Sequence, residues 1–326
     1  MCGILGICFD GRDRTDGEWM DIAWDFSNLW IHSMDRGTDA AGVYIVNRDS
    51  EIHYIKAPVT AEYLVGRDEA NDDMYGYWEF CRTHLGPDTV GIIGHTRAAT
   101  TGDPKDNDNN HPVVDAPIIG VHNGVIQNHR ILHTKYPKCA EVDSAAIMSL
   151  LKAKAGDKPL TTGVVARSLH ELKGSFAIAV ADMRKPDGIF LARNHSPVSF
   201  TRNRAEGVLM FASTADILRR AISDNIKTFA MPSDTVCRIS RKTVHGSLAF
   251  KPLKDAPPTK PKHVPSATLK RLGLNPKRTP VYPSTDAHQP EVDGGLRCST
   301  CHQLYLMVYH GNVEQRCCNC NPYGGF

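Results

Sequence analysis

The sequence predicts an α+β fold in which antiparallel sheets are covered by helices. Three observations lead there. From residue 2 to about residue 240, short runs rich in β-branched residues outnumber helical patterns. These runs fall into hairpin-like groups, where a doubly wound parallel sheet would alternate strand and helix regularly. The helical stretches are amphipathic, each offering an apolar face to a sheet.

Taken in order, residues 4–9 read as the first strand, Ile-Leu-Gly-Ile-Cys-Phe. In residues 18–34, Trp19, Ile22, Ala23, Phe26, Leu29, Trp30 and Met34 recur at helical spacing and predict one amphipathic helix. Strands follow at 42–46, 52–55, 90–95 and 118–122. Helices are predicted at 143–152, where Asp143 suits a helix start, and at 164–172. Further strands are predicted at 176–182, 188–192, 197–200, 208–212 and 235–239.

The chain has 326 residues, 41% hydrophobic and 23% charged, enough for one large core or two ordinary ones and inconsistent with disorder throughout. A net charge of +2 implies no strong pull on nucleic acid. Residues 4–9 lack a basic leader and run into Asp10, Arg12, Asp13, Arg14 and Asp16, which is neither a signal peptide nor an anchor. No stretch approaches 18 apolar residues, so no membrane contact is expected. Of the ten cysteines, Cys2, Cys8, Cys81, Cys139, Cys237 and Cys318 show no pairing pattern, which suits a reducing, cytoplasmic setting.

Composition divides the chain into a first domain at 1–245, a basic linker at 246–295 and a tail at 296–326. Within the linker, residues 251–295 hold nine of the twenty prolines and eight Lys or Arg against four acidic residues. Prolines at that density favour extended chain, and the positive charge serves solvation or an acidic or nucleic-acid partner. In the tail, Cys298-x2-Cys301 and Cys317-x2-Cys320 stand fifteen residues apart, the spacing of a four-thiolate structural Zn2+ site. Cys318 is an alternative to Cys317 as third ligand, and a redox dithiol pair is the alternative to zinc. So short a segment has too little core to fold without such a staple.

Cys2 is the most informative residue. If Met1 is removed, which a small second residue favours, Cys2 carries both a thiol and a free α-amine. That amine has a pKa near 8 and can act as a general base. Four further segments place glycine and polar residues at strand ends. They run from Arg36-Gly37-Thr38-Asp39 to Gly42, through Gly94-His95-Thr96-Arg97-Ala98-Ala99-Thr100-Thr101-Gly102 and His122-Asn123-Gly124-Val125-Ile126-Gln127-Asn128-His129, to Glu141-Val142-Asp143-Ser144. Singly each has an ordinary reading: Asn-Gly as a tight turn, Arg36 as a surface charge, Asp143 as a helix cap.

Together, in this order behind Cys2-Gly3-Ile4, they resemble the class II glutamine amidotransferases, and among these the glutaminase half of glucosamine-6-phosphate synthase. The resemblance covers residues 2 to about 240. It implies a four-layer αββα sandwich of two antiparallel sheets, the N-terminal-nucleophile hydrolase fold, followed here by a small zinc-ribbon-like segment. It also implies hydrolysis of free L-glutamine through a γ-glutamyl thioester on Cys2. By the same resemblance, Asn123 and the Gly124 N–H receive the oxyanion, Arg97 the α-carboxylate and Asp143 the α-ammonium. Thr100 joins the substrate contacts, and Arg36 orients the N-terminal residue and lowers the thiol pKa. No cofactor is implied for this half.

Ala98 stands where these relatives carry an aromatic residue and Thr101 where they carry His, so lid closure and ammonia retention differ while the charge contacts persist. His95, His111, His122 and His129 read as hydrogen-bonding residues rather than catalysts. Only about 30 residues follow the linker, against the roughly 100 or more of a synthase domain, so ammonia is expected to pass to a separate acceptor enzyme. The rival readings are an N-terminal-nucleophile amidase acting on another amide and a non-catalytic adaptor carrying the ribbon. Arg97 with Asp143 argues against the first. Retention of the whole set argues against the second.

Overall fold

The computed structural model describes residues 1–66, 75–137 and 139–253. The linker beyond residue 253 and the tail, with Cys298, Cys301, Cys317, Cys318 and Cys320, lie outside the described residues. The strands are β1 (Gly3–Phe9), β2 (Ala40–Asn47), β3 (His53–Ala57), β4 (Thr89–Arg97), β5 (Val113–Asp115), β6 (Ile118–Ile126), β7 (Gly174–Asp182), β8 (Ile189–Arg193), β9 (Ser199–Asn203), β10 (Val208–Ala212), β11 (Phe229–Ala230), β12 (Thr235–Ile239) and β13 (Lys251–Pro252). The helices are α1 (Asp16–His32), α2 (Ala61–Val65), α3 (Tyr77–His84), α4 (His129–Lys135), α5 (Asp143–Ala155), α6 (Thr162–Leu169) and α7 (Ala215–Ala221).

Two antiparallel sheets result, one ordered β11-β9-β10-β1-β4-β2-β3 and the other β13-β12-β8-β7-β6-β5. Side chains alternate across each strand, so the central strands each feed two cores. In β1, Leu5, Ile7 and Phe9 pack toward α1, while Ile4 and Cys8 enter the core between the sheets. In β7, Ala177, Ala179 and Ala181 face that inter-sheet core, and Phe176, Ile178 and Val180 pack with α5 and α6. The result is the four-layer αββα sandwich.

Helix α1 begins in a capping box, where Thr15 receives the Glu18 N–H and the Glu18 carboxylate accepts the Thr15 N–H. Its apolar face buries Trp19, Ala23, Phe26, Leu29 and Trp30. The Trp30 indole N–H donates to the His95 carbonyl at 3.0 Å, joining the outer helix to the central strand β4. Truncating such an aromatic to Ala typically costs about 3–5 kcal/mol.

The structure departs from expectation in three places. Strand β6 does not stop at His122 but continues to Ile126, so Asn123-Gly124 is paired with Ala177 and Phe176 of β7 and is not a turn. Residues 246–253, assigned to the linker, pack on the first unit instead. There β13 pairs with β12, and Leu248 and Phe250 cover the inter-sheet core. Short elements, among them α2, α3, α4 and α7, also escaped the sequence reading, because one or two turns carry too few periods to stand out.

Candidate active site

The two sheets bring the ends of β1, β4 and β6 together. Cys2 immediately precedes β1, whose Gly3 pairs with Thr96, so Arg97 and Ala98 at the end of β4 lie beside the cysteine. The Cys2 Sγ donates to the Ala98 carbonyl and accepts the Ala98 N–H, both at 3.3 Å. These are backbone contacts, so the replacement of an aromatic side chain by Ala98 leaves them intact. Gly37 permits the loop carrying Arg36 to lie against this strand end, since a Cβ there would sit 2.3 Å from the Arg97 carbonyl carbon.

A narrow cavity, with an accessible volume of only about 10 Å³, is lined by Cys2, Arg97, Thr100, Thr101, Gly124 and Asp143, together with His111, His122 and Ser144. A larger cleft of about 560 Å³ near Asp25, Arg202 and Glu206 has no cysteine in its lining. The smaller cavity is therefore the chemical candidate.

Arg97 is buried, and three of its N–H groups are engaged. Nη1 donates to Asn110 Oδ1 at 2.6 Å, and Nη2 donates to the carbonyls of Thr101 and Gly102 at 2.6 and 2.9 Å. The guanidinium thus fixes the loop that borders the cavity while keeping donors in reserve. Asp143 heads α5. Its Oδ2 accepts the Ile126 N–H at 2.6 Å and its Oδ1 the Thr101 hydroxyl at 3.4 Å. Thr101, which replaces a His of the resembling relatives, is thereby in contact with the carboxylate.

Arg36 reaches the nucleophile through its backbone. Its Nε donates to the Cys2 carbonyl at 2.7 Å, holding the backbone of the nucleophile. The thiol pKa is raised. Burial is the dominant cause, opposed by the Ala98 N–H, the chain's amino terminus and Arg97. Met1 precedes Cys2 in this structure and is exposed, so the Cys2 nitrogen is an amide here.

Gly124 lines the cavity and Asn123 lies behind it. Gly124 has φ +132°, and a Cβ there would meet the Ser175 carbonyl oxygen at 2.0 Å. Only glycine fits. The Asn123 Nδ2 donates to Ser213 Oγ at 2.8 Å. Thr100 borders the opening and is exposed.

Three histidines form a buried polar cluster under the cavity. Ser144 Oγ lies 2.9 Å from both His111 Nε2 and His122 Nδ1, and His95 Nε2 lies 3.1 Å from the His122 carbonyl. Burial holds all three below the ordinary histidine range, His95 at about 3, so they are neutral at pH 7. His129 Nδ1 contacts the Ile126 carbonyl at 2.6 Å. Asn110, Ser144 and Ser213 were not foreseen from sequence, since each acts through a partner distant in the chain.

A family model described as a glutamine amidotransferase domain matches residues 95–220. The chain is 28% identical over 234 residues to 7-cyano-7-deazaguanine synthase 2 of Sulfurisphaera tokodaii, covering 69% of this chain and 46% of that protein. It is 30% identical over 227 residues to the glutamine–fructose-6-phosphate aminotransferase of Streptococcus mutans, covering 66% and 32%. Residues 95–220 carry a glutamine amidotransferase domain. Among solved structures, the chain resembles a glutamine phosphoribosylpyrophosphate amidotransferase from B. subtilis, with a TM-score of 0.53 at 15% identity over 78% of this chain and 49% of that one. That likeness bears on the fold. The chain spans less than half the length of these curated relatives. The comparisons add nothing to the idea of nucleic-acid contact through the linker or tail. Among the described residues, no helix is long and apolar enough to cross a membrane.

Proposed function

We propose that this domain hydrolyses free L-glutamine and delivers ammonia to an acceptor enzyme on a separate chain. The observation that carries the reading is the convergence of Cys2, Gly124, Arg97 and Asp143 on one small cavity. Free glutamine carries an anion, a cation and a carboxamide. The cavity offers a guanidinium, a carboxylate and a thiol for them.

In the proposed cycle, removal of Met1 frees the α-amine of Cys2. Through a water, that amine takes the thiol proton, and the thiolate attacks the Cδ of glutamine. The oxyanion that forms is met by the Gly124 N–H and the Asn123 amide. Collapse transfers a proton to the leaving nitrogen and gives ammonia with a γ-glutamyl thioester. Water activated by the same amine then cleaves the thioester to glutamate and restores the thiol. Arg97 pairs with the α-carboxylate and Asp143 with the α-ammonium, with Thr100 at the rim. Arg36 steadies Cys2 through its carbonyl. The raised thiol pKa makes the base necessary. In the tail, the cysteine spacing supports a structural zinc held by Cys298, Cys301, Cys317 and Cys320, on a segment suited to recruiting the acceptor.

The test is ammonia and glutamate release from free glutamine, with simple acyl-amides as comparison substrates and with intact mass measured on the same sample. Release from glutamine by chains beginning at Cys2, lost in Cys2→Ala, is the expected result. Turnover by Cys2→Ala, by chains retaining Met1, or preferentially on the acyl-amides would overturn the reading.

A further inference from the structure

Ser213 follows directly on β10 and is fully buried. Its hydroxyl accepts the Ile4 N–H at 2.9 Å, donates to the Ile4 carbonyl at 3.3 Å, and accepts the Asn123 Nδ2 at 2.8 Å. Its own N–H reaches the Ile4 carbonyl at 2.9 Å. One side chain therefore touches both the strand that begins beside the nucleophile and the side-chain amide of Asn123. These two come from different sheets. The Asn123 Oδ1 has no partner among the described residues, so Ser213 is the one hydrogen-bonding anchor of that side chain there.

We propose that Ser213 is a positioning residue that sets the distance between Cys2 and the Asn123 amide across the inter-sheet seam. The inference rests on the glutamine-hydrolysis reading and adds a residue to it. An amide carries two N–H donors. With one committed to Ser213, the rotation of the Asn123 side chain is fixed, and the other is held ready for the oxyanion. Without the hydroxyl the amide turns freely and must be ordered again in each turnover. The loss then falls on the transition state, where the oxyanion exists, rather than on ground-state glutamine binding. The backbone bond from Ser213 N–H to Ile4 does not depend on the hydroxyl, so β1 keeps its place when the side chain is shortened.

The experiment compares the full chain with Ser213→Ala and Ser213→Thr. In Ser213→Ala, kcat for ammonia release should fall about ten- to a hundredfold, less than outright loss of an oxyanion donor, with KM unchanged within about threefold. Alkylation of Cys2 by iodoacetamide, which forms no oxyanion, should stay within about threefold. Ser213→Thr retains the hydroxyl and should restore most of the rate. In protein labelled with 15N-asparagine, the side-chain NH2 signals of Asn123, identified by their loss in Asn123→Asp, should move in Ser213→Ala and stay in Ser213→Thr. Unchanged kcat in Ser213→Ala, a parallel fall in alkylation, no rescue by Thr, or unmoved Asn123 signals each overturns the proposal. If wild type releases no ammonia from glutamine, the functional reading fails separately, and the Asn123 signals alone decide whether Ser213 holds the amide.

Discussion

Gly124→Ala tests the geometry of the candidate site most directly. A methyl group at position 124 would lie 2.0 Å from the Ser175 oxygen, 2.7 Å from its carbonyl carbon and 3.0 Å from the Phe176 Cα. All three are backbone atoms, so no rotamer relieves the clash, and β6 and β7 must separate by about 1.4 Å to reach an ordinary contact. Holding alanine at φ +132° adds about 1–3 kcal/mol. Loss of about two ladder hydrogen bonds between the strands adds about 1 kcal/mol each. The sum is about 3–5 kcal/mol, which for a domain of this size lowers Tm by roughly 6–20 °C. Displacing the N–H from the cavity should also lower kcat for glutamine about a hundredfold or more. Scanning calorimetry and ammonia release measure the two effects. The control is Gly156→Ala, which shares a positive φ, +57°, but has nothing within 4 Å of its Cβ and should cost only the backbone strain, about 1–3 kcal/mol. If Gly124→Ala melts within about 2 °C of that control and turns over glutamine normally, the close approach of β6 and β7 has been misread.

Arg97→Lys keeps the charge but loses the planar fork, so KM for glutamine should rise about tenfold or more in initial-rate measurements. An unchanged KM would remove Arg97 from the carboxylate site. The buried histidines predict acid sensitivity. Their folded pKa values lie below the ordinary 6.5, so the unfolded chain binds more protons between pH 6.5 and about 3, and stability falls as pH falls through that window. His95, with its pKa held at about 3, should contribute a loss of roughly 2 kcal/mol between pH 7 and pH 5, visible in urea melts as a falling midpoint. An unchanged midpoint would contradict their neutral burial. Metal analysis of purified full chain should find about one zinc per chain, reduced in the Cys298→Ser, Cys301→Ser double variant. Stoichiometric zinc in that variant would relocate the site.

The strands were legible because their alternation is local. Thr235–Ile239 and Val208–Ala212 have the bounds that their β-branched and apolar runs suggest. The site was legible as residue types at motif spacing, but its support was not. Ser213 meets Asn123 from 90 residues away, and Ser144 bridges His111 and His122 across 33 and 22 residues. No periodicity encodes such contacts. The continuation of β6 through Asn123-Gly124 was hidden for a related reason. The dipeptide favours a turn locally, and only pairing with β7 overrides that preference. The raised pKa of the Cys2 thiol was not legible either, because its main cause is burial, which only the fold sets.

The placement of β1 between β10 and β4 has a practical consequence. Pairing with β4 from Gly3 and with β10 from Leu5 clamps the chain just behind the cysteine. Any polypeptide fused in front of Met1 would stand one residue from the thiol that lines the cavity. An affinity tag at that end would crowd the cavity it was meant to help study.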